Sequence, residues 1–199
     1  MSIYALKPRF QALLRPLAAV LYRSGVTANQ VTLCACAVSV ALGALLAARP
    51  QAELFLLLPV WLALRMALNA IDGMLAREFG QQSRLGAYLN ELGDVISDTA
   101  LFAPFALLQG SSPWLVASIA ALAIVSEMAG VLAASVGAAR RYDGPMGKSD
   151  RAFVLGVVAL LVGAGVPMAA AFTWIWGAVL VLLVVTIINR VRRGIAAAG

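Results

Sequence analysis

The apolar positions of this chain fall in long blocks separated by short polar stops. Six blocks reach membrane-spanning length, at roughly 28–48, 53–78, 83–109, 114–139, 152–167 and 170–190, the fifth being the shortest. The connections are short, so successive helices should run antiparallel. Ahead of them Ile3, Leu6, Phe10, Leu13, Leu14, Leu17, Val20 and Leu21 fit one helical face, with Arg9, Arg15 and Arg23 off it. Residues 1–25 therefore read as an amphipathic helix on the membrane surface, either a positively charged anchor or a substrate-contacting element. The stretch lacks the uninterrupted apolar core and small-residue cleavage site of a signal peptide. The expected fold is all-α and integral to the membrane: an amphipathic interfacial helix over 1–25, then one domain of six transmembrane helices over 26–199, with no internal repeat.

Composition narrows the function classes. Hydrophobic types make up 62% of the 199 residues and charged types 12%, where a soluble domain is about half apolar and a quarter charged. A soluble enzyme, a disordered tail and a coiled coil are excluded together. Histidine is absent, which removes Ser-His-Asp triads, His-ligated zinc and His proton shuttles. Cys34 and Cys36 lie two apart in an apolar run, about 200° apart on a helix, and form no disulfide framework.

The net charge of +6 comes from 15 Lys and Arg against 9 Asp and Glu, and its distribution gives it meaning. Basic residues before the first block, between blocks two and three, between four and five, and after six share one side; only Arg49 lies on the other. The positive-inside rule then places both termini in the cytoplasm, in a cytoplasmic (inner) cell membrane. Trp114, Trp174 and Trp176 mark the opposite ends, where an outer aromatic belt would lie. The basic charge reports topology, and no nucleic acid is expected as a partner.

Ionisable groups inside such blocks are costly and point to function. In block two, Arg65, Asn69 and Asp72 share an arc of about 60°; in block three, Asn90, Glu91, Asp94 and Asp98 share about 100°. Both helices meet the cytoplasmic surface near residues 79–83, so Asp72 and Asn90 lie about 10 Å inside, with Asp94 a turn deeper. Paired as a hairpin, these oxygens converge below the headgroups. Clustered carboxylates and amide carbonyls suit a hard cation such as Mg²⁺, Mn²⁺ or Ca²⁺. Interhelical hydrogen bonds and Asp–Arg pairs that hold a bundle together are the alternative.

The run from Asn69 through Asp72, Gly73, Ala76 and Arg77 continues to Gly86, Asn90 and Asp94. It resembles the signature of the CDP-alcohol phosphotransferase family, D-x2-D-G-x2-A-R-x8-G-x3-D-x3-D, with every spacing kept. Asn69 and Asn90 stand where the signature has its first and third aspartates. An Asn carbonyl ligates a hard cation without bringing charge. The resemblance implies transfer of a phosphatidyl-type group from a CDP-diacylglycerol-like donor to a small polar alcohol, with release of CMP, in phospholipid biosynthesis. It implies one or two Mg²⁺ or Mn²⁺ ions on Asp72 and Asp94, with Asn69 and Asn90 as altered ligands and Glu91 or Asp98 as possible extra ones. Asp94 would be the general base; Gly73, Ala76, Arg77 and Gly86 would hold the donor nucleotide. A homodimer in membrane lipid, with its active site facing the cytoplasm, completes the expectation.

Three further features stay open at this level. Thr27, in the run to Thr32 that opens block one, reads as a helix N-cap or as donor-site support. Glu127, inside block four, pairs with Arg65 or another buried cation, or shapes the acceptor pocket. The segment Arg140–Arg151 is a topology-setting loop, or an acceptor site whose Arg141 and Lys148, with Arg190, take a phosphate-bearing alcohol, glycerol 3-phosphate first. Its Gly147, Lys148 and Ser149 are not a phosphate-binding nucleotide loop, because the upstream glycine is missing. The competing functions are a catalytically weak or inactive family member that binds CDP-lipid, and a small-solute transporter, which would spread its polar residues across the membrane.

Overall fold

The computed structural model describes residues 6–198, with side chains from Phe10 onward; Ile3 lies outside the described residues. Seven α-helices are formed among them: α1 Leu6–Arg23, α2 Ala28–Ala48, α3 Leu57–Glu78, α4 Arg84–Phe102, α5 Pro113–Leu132, α6 Lys148–Gly163 and α7 Phe172–Ala196. Short 3-10 turns precede α3 at Ala52–Leu56, follow α4 at Ala103–Leu107 and follow α5 at Ala133–Val136. The chain divides into two compact units, Met1–Val40 with Val60–Ser97, and Ala41–Pro59 with Asp98–Gly199.

The first unit is organised around the turn between α1 and α2. Gly25, at φ +78°, takes the left-handed conformation that lets Val26 N–H reach the Leu21 carbonyl and Gly25 N–H reach that of Tyr22, both at 3.0 Å. Thr27 Oγ1 then accepts from Gln30 N–H at 3.3 Å while Gln30 Oε1 accepts from Thr27 N–H at 2.9 Å. This reciprocal pair satisfies two orphan donors at the start of α2, so Thr27 is the N-cap. Gln81 closes the turn, accepting from Ala28 N–H at 2.7 Å. Ala18, Ala28, Val31, Ile71, Met74 and Leu75 form the core, with Leu14 and Leu21 packed against it. Arg15 grips Glu78 with two hydrogen bonds, at 2.9 and 3.1 Å. The apolar arc of α1 is thus divided: Leu14, Ala18 and Leu21 face this core, while Phe10, Leu13, Leu17 and Val20 are exposed.

In the second unit the core is aromatic at one end and ionic at the other. Trp176 is wholly buried and stacks on Phe172 at 5.8 Å, with Phe105 edge-on at 5.6 Å. Its indole N–H donates to Ser111 Oγ at 3.0 Å. The expected outer-belt role therefore fails for Trp176, whereas Trp114 and Trp174 are both at least 80% exposed. Further along α7, Thr186 holds the segment before α6: Met146 N–H donates to Thr186 Oγ1 at 2.9 Å. Gly144 lies against it at φ +125°, where a Cβ would come within 2.7 Å of the Thr186 Cα.

Among the described residues four helical segments, Ala28–Ala48, Ala52–Glu78, Pro113–Val136 and Phe172–Ala196, are long and apolar enough to cross a membrane. The other two expected spans are helices of a different character. α4 ends at Phe102 rather than continuing to 109, and it carries Asn90, Glu91, Asp94 and Asp98. α6 begins at Lys148, four residues before the expected span, and ends at Gly163. Its 16 residues rise about 24 Å, short of a hydrocarbon core of about 30 Å.

Replacing Trp176 by Ala should cost about 3–5 kcal/mol, while Trp174→Ala should stay within about 0.5 kcal/mol. Thermal unfolding of the detergent-solubilised variants separates these outcomes.

Candidate functional site

The residues of the spaced pattern sit in the first unit, on the last turns of α3 and the first turns of α4. Asp72 is buried, and the Thr32 hydroxyl of α2 lies 2.8 Å from its Oδ2 and 3.1 Å from the Ala28 carbonyl. A hydroxyl carries one proton, so the two acceptors share it. Thr32 thereby ties the T-x-N-x-x-T run of α2 to the carboxylate of α3. Asp94 meets Arg65: Arg65 Nη2 stands 3.2 Å from Asp94 Oδ1 and 3.3 Å from the Asp94 carbonyl oxygen. Arg65 is itself buried, at 4% exposure. Asn69, Asn90 and Glu91 are half-buried.

The small residues leave room for specific neighbours. A Cβ on Gly73 would come within 2.6 Å of Arg77 Nη2, so the Arg77 guanidinium folds back along α3 over the bare backbone there. A Cβ on Gly86 would meet Asn29 Oδ1 at 2.8 Å. Gly86 N–H also donates to Ser83 Oγ at 2.9 Å, which caps α4. Asn29 and Thr32, part of the run read from the sequence as a helix cap or as donor-site support, meet Gly86 and Asp72 of the pattern. Ala76 is half-buried between buried Leu75 and exposed Arg77.

The donor chemistry suits a hard cation: two carboxylates, Asp72 and Asp94, and two amide oxygens, Asn69 and Asn90. Among the described residues no group of three or more His, Cys, Asp or Glu is placed to hold a metal. Asp98, one of the possible extra ligands, belongs to the second unit. Its Oδ2 is gripped by Arg151 through Nη2 at 2.8 Å and Nε at 3.2 Å.

In that second unit Glu127 is the centre of a buried ionic network. Arg151 reaches it at 2.9 Å, Arg190 at 3.2 Å and Arg140 at 3.3 Å. Arg151 and Arg190 are each 2% exposed. Arg190 also donates to the Ser126 carbonyl, and Arg151 to the Met146 carbonyl at 3.3 Å. Of the two readings of Glu127, the structure supplies the buried cations, and Arg65 is given to Asp94 instead. The three residues expected to bind acceptor phosphate lie around Asp143, whose carbonyl also accepts from Arg190 Nε at 3.4 Å, and the start of α6. Arg190 serves Glu127, Arg141 Nε binds Asp143 Oδ2 at 2.8 Å, and Lys148 opens α6. Asp143 also takes Arg193 at 2.6 Å. Burial works to raise the Asp143 pKa, but the hydrogen bonds and charges of Arg141 and Arg193 outweigh it and hold the carboxyl below its ordinary range. Burial pushes the Arg140 guanidinium down. Arg151 was counted by sequence as loop charge alone; the signal that could have found it was Glu127, a carboxylate inside an apolar helix that demands a cation.

Comparison with known proteins gives a consistent picture. A sequence profile described as CDP-alcohol phosphatidyltransferase matches residues 25–194. The inner membrane protein YnbA of Escherichia coli K12 is 49% identical over 192 residues, covering 96% of each chain. A phosphatidylinositol phosphate synthase of Streptomyces avermitilis is 38% identical over 102 residues, 49% of this chain and 39% of that protein. The crystal structure of the Mycobacterium tuberculosis phosphatidylinositol phosphate synthase with CDP-DAG bound matches with a TM-score of 0.73 over 92% of this chain and 94% of that one, at 24% identity. The same enzyme in complex with manganese and citrate gives 0.72, covering 92% and 90%, at 24% identity. At that identity the likeness speaks for the fold.

Two outcomes follow from the ionic network. Glu127→Gln should destabilise the protein by about 3–5 kcal/mol, because it leaves buried arginines uncompensated; chemical unfolding in detergent measures it. Asp143, with its lowered pKa, contributes stability that is present above the ordinary carboxylate range, near pH 3.9, and is lost as pH falls through its folded value. The melting midpoint of the wild type should therefore converge on that of Asp143→Asn as the pH drops below about 4.

Proposed function

The chain belongs to the CDP-alcohol phosphatidyltransferase family, and on that premise we propose that it moves a phosphatidyl-type group from a CDP-diacylglycerol-like lipid to a small polar alcohol, releasing CMP. The observation that carries this reading is the placement of Asp72, Gly73, Ala76, Arg77, Gly86 and Asp94 on the facing ends of α3 and α4, with Asp72 buried and held by Thr32.

Each residue then has a task. The acceptor hydroxyl oxygen attacks the lipid-side phosphorus of the donor diphosphate, that phosphorus–oxygen bond to CMP breaks, and the hydroxyl proton passes to the Asp94 carboxylate. Arg65 fixes the orientation of that carboxylate through Oδ1. Thr32 does the same for Asp72. Arg77, folded over Gly73, would pair with the nucleotide phosphates, and Gly86 lets Asn29 approach the start of α4. A divalent cation, Mg²⁺ or Mn²⁺, held by Asp72 with Asn69 and Asn90, would neutralise the diphosphate and stabilise the leaving CMP.

The chain works as a multi-pass membrane protein with both termini and the site on the cytoplasmic side. The one-sided distribution of basic residues supports that orientation, and the exposed Phe10, Leu13, Leu17 and Val20 of α1 suit a helix lying in the interface. For the acceptor, five guanidiniums of the second unit (Arg140, Arg141, Arg151, Arg190 and Arg193) meet three carboxylates, Asp98, Glu127 and Asp143. The remaining positive charge favours an anionic alcohol, with glycerol 3-phosphate first. The ion pair on Asp94 and the two amides favour a second reading, a family member that binds CDP-lipid with little turnover.

The test is CMP release by the purified chain in lipid nanodiscs, with CDP-diacylglycerol, Mg²⁺ or Mn²⁺, and glycerol 3-phosphate, inositol, inositol phosphate, serine or phosphatidylglycerol. Release should depend on one acceptor and on the metal. Asp94→Ala should slow it by about 10²–10⁴-fold; undiminished turnover would remove Asp94 as the base. Bound CDP-lipid with no release from any acceptor would select the second reading.

A further inference from the structure

The two amides of the pattern and the arginine one turn before them change the charge of the site together. The pattern with four aspartates carries four negative charges, which repel unless cations lie among them. Here Asn69 and Asn90 remove two of those charges, and Arg65 brings a positive one. Arg65 is not a surface arginine that happens to lie nearby. It is 4% exposed, its Nη2 contacts both the side chain and the carbonyl of Asp94, and it sits one turn before Asn69 on α3. Among the described residues no three acidic side chains gather in a metal-binding group.

We propose that the Arg65 guanidinium takes the place of one divalent cation in this site, so that the chain binds a single hard metal ion, centred on Asp72, where a four-carboxylate pattern would hold two. The charge arithmetic favours it. Counting every charged side chain of the pattern, Asp72, Glu91 and Asp94 against Arg65 and Arg77, the site carries one negative charge; one dication brings it to a modest positive charge that the donor diphosphate neutralises. A second dication would add two more positive charges beside a fixed guanidinium, in surroundings where such repulsion is poorly screened. Arg65 is thus a positioning and charge-compensating residue that acts through Asp94. The proposal uses the transferase reading only to say what the metal serves; its test does not depend on turnover.

The test is a Mn²⁺ titration of the metal-stripped, full chain in nanodiscs, with no donor and no acceptor, reading free Mn²⁺ by electron paramagnetic resonance. The wild type should bind one Mn²⁺ per chain. Arg65→Gln should bind it at least about ten-fold more tightly, because a repelling charge is gone, and Arg65→Lys should behave as the wild type. Asn69→Asp with Asn90→Asp should still bind one ion while Arg65 is present, and should bind two once Arg65→Gln is added. Two Mn²⁺ per wild-type chain, or an affinity unmoved by Arg65→Gln in protein that keeps its helicity and monodispersity, would overturn the proposal. CMP release from the same preparations, once CDP-diacylglycerol and the acceptor alcohols are added, separates the failures. One Mn²⁺ with the expected Arg65 dependence but no release leaves this inference standing and removes the transferase reading. Release with two Mn²⁺ bound does the reverse.

Discussion

Charge compensation inside an apolar chain is the constraint on which this structure depends. A carboxylate or guanidinium taken out of water loses several kcal/mol of solvation unless an opposite charge and hydrogen bonds replace the water. Only 12% of the residues are charged, and the buried ones are used in partnership. Arg65 goes to Asp94, Arg151 bridges Asp98 and Glu127, and Arg190 and Arg140 converge on Glu127. These pairs decide more than stability. They set which carboxylates are held in a fixed orientation and how much positive charge is left unmatched.

The same constraint explains what could be read from the sequence. The helices, the Thr27 cap and the placement of Asp72 and Asp94 at the facing ends of α3 and α4 follow from local pattern: long apolar blocks, a Thr three residues before a Gln, and polar residues spaced by four. Caps and periodicity are local, and one sequence displays them fully. The partners of the buried charges are not local. Arg151 lies 24 positions from Glu127 and 53 from Asp98, and nothing in the loop Arg140–Arg151 says which of its arginines turns inward. Loop charge counted for topology and loop charge used as internal counterion look identical in sequence.

Trp176 and α4 show the limit from the apolar side. A tryptophan near the end of an apolar block looks like a belt residue, yet a helical period of 3.6 puts residues 174 and 176 on different faces. One faces outward and the other is the centre of an aromatic core. In α4 the polar residues that make the site legible are also what keep the helix from resembling an ordinary span. The candidate site was easiest to read where it spoiled the hydropathy.

The serine-held indoles have a consequence of another kind. Trp61 donates to Ser39 Oγ at 3.0 Å within the first unit, and Trp176 donates to Ser111 Oγ at 3.0 Å within the second. The remaining two tryptophans, Trp114 and Trp174, stand out on the surface. Each unit therefore carries its own optical probe in a defined, hydrogen-bonded setting. With the two surface indoles replaced by phenylalanine, fluorescence becomes a two-channel record of whether the halves of the molecule melt as one cooperative body or in sequence.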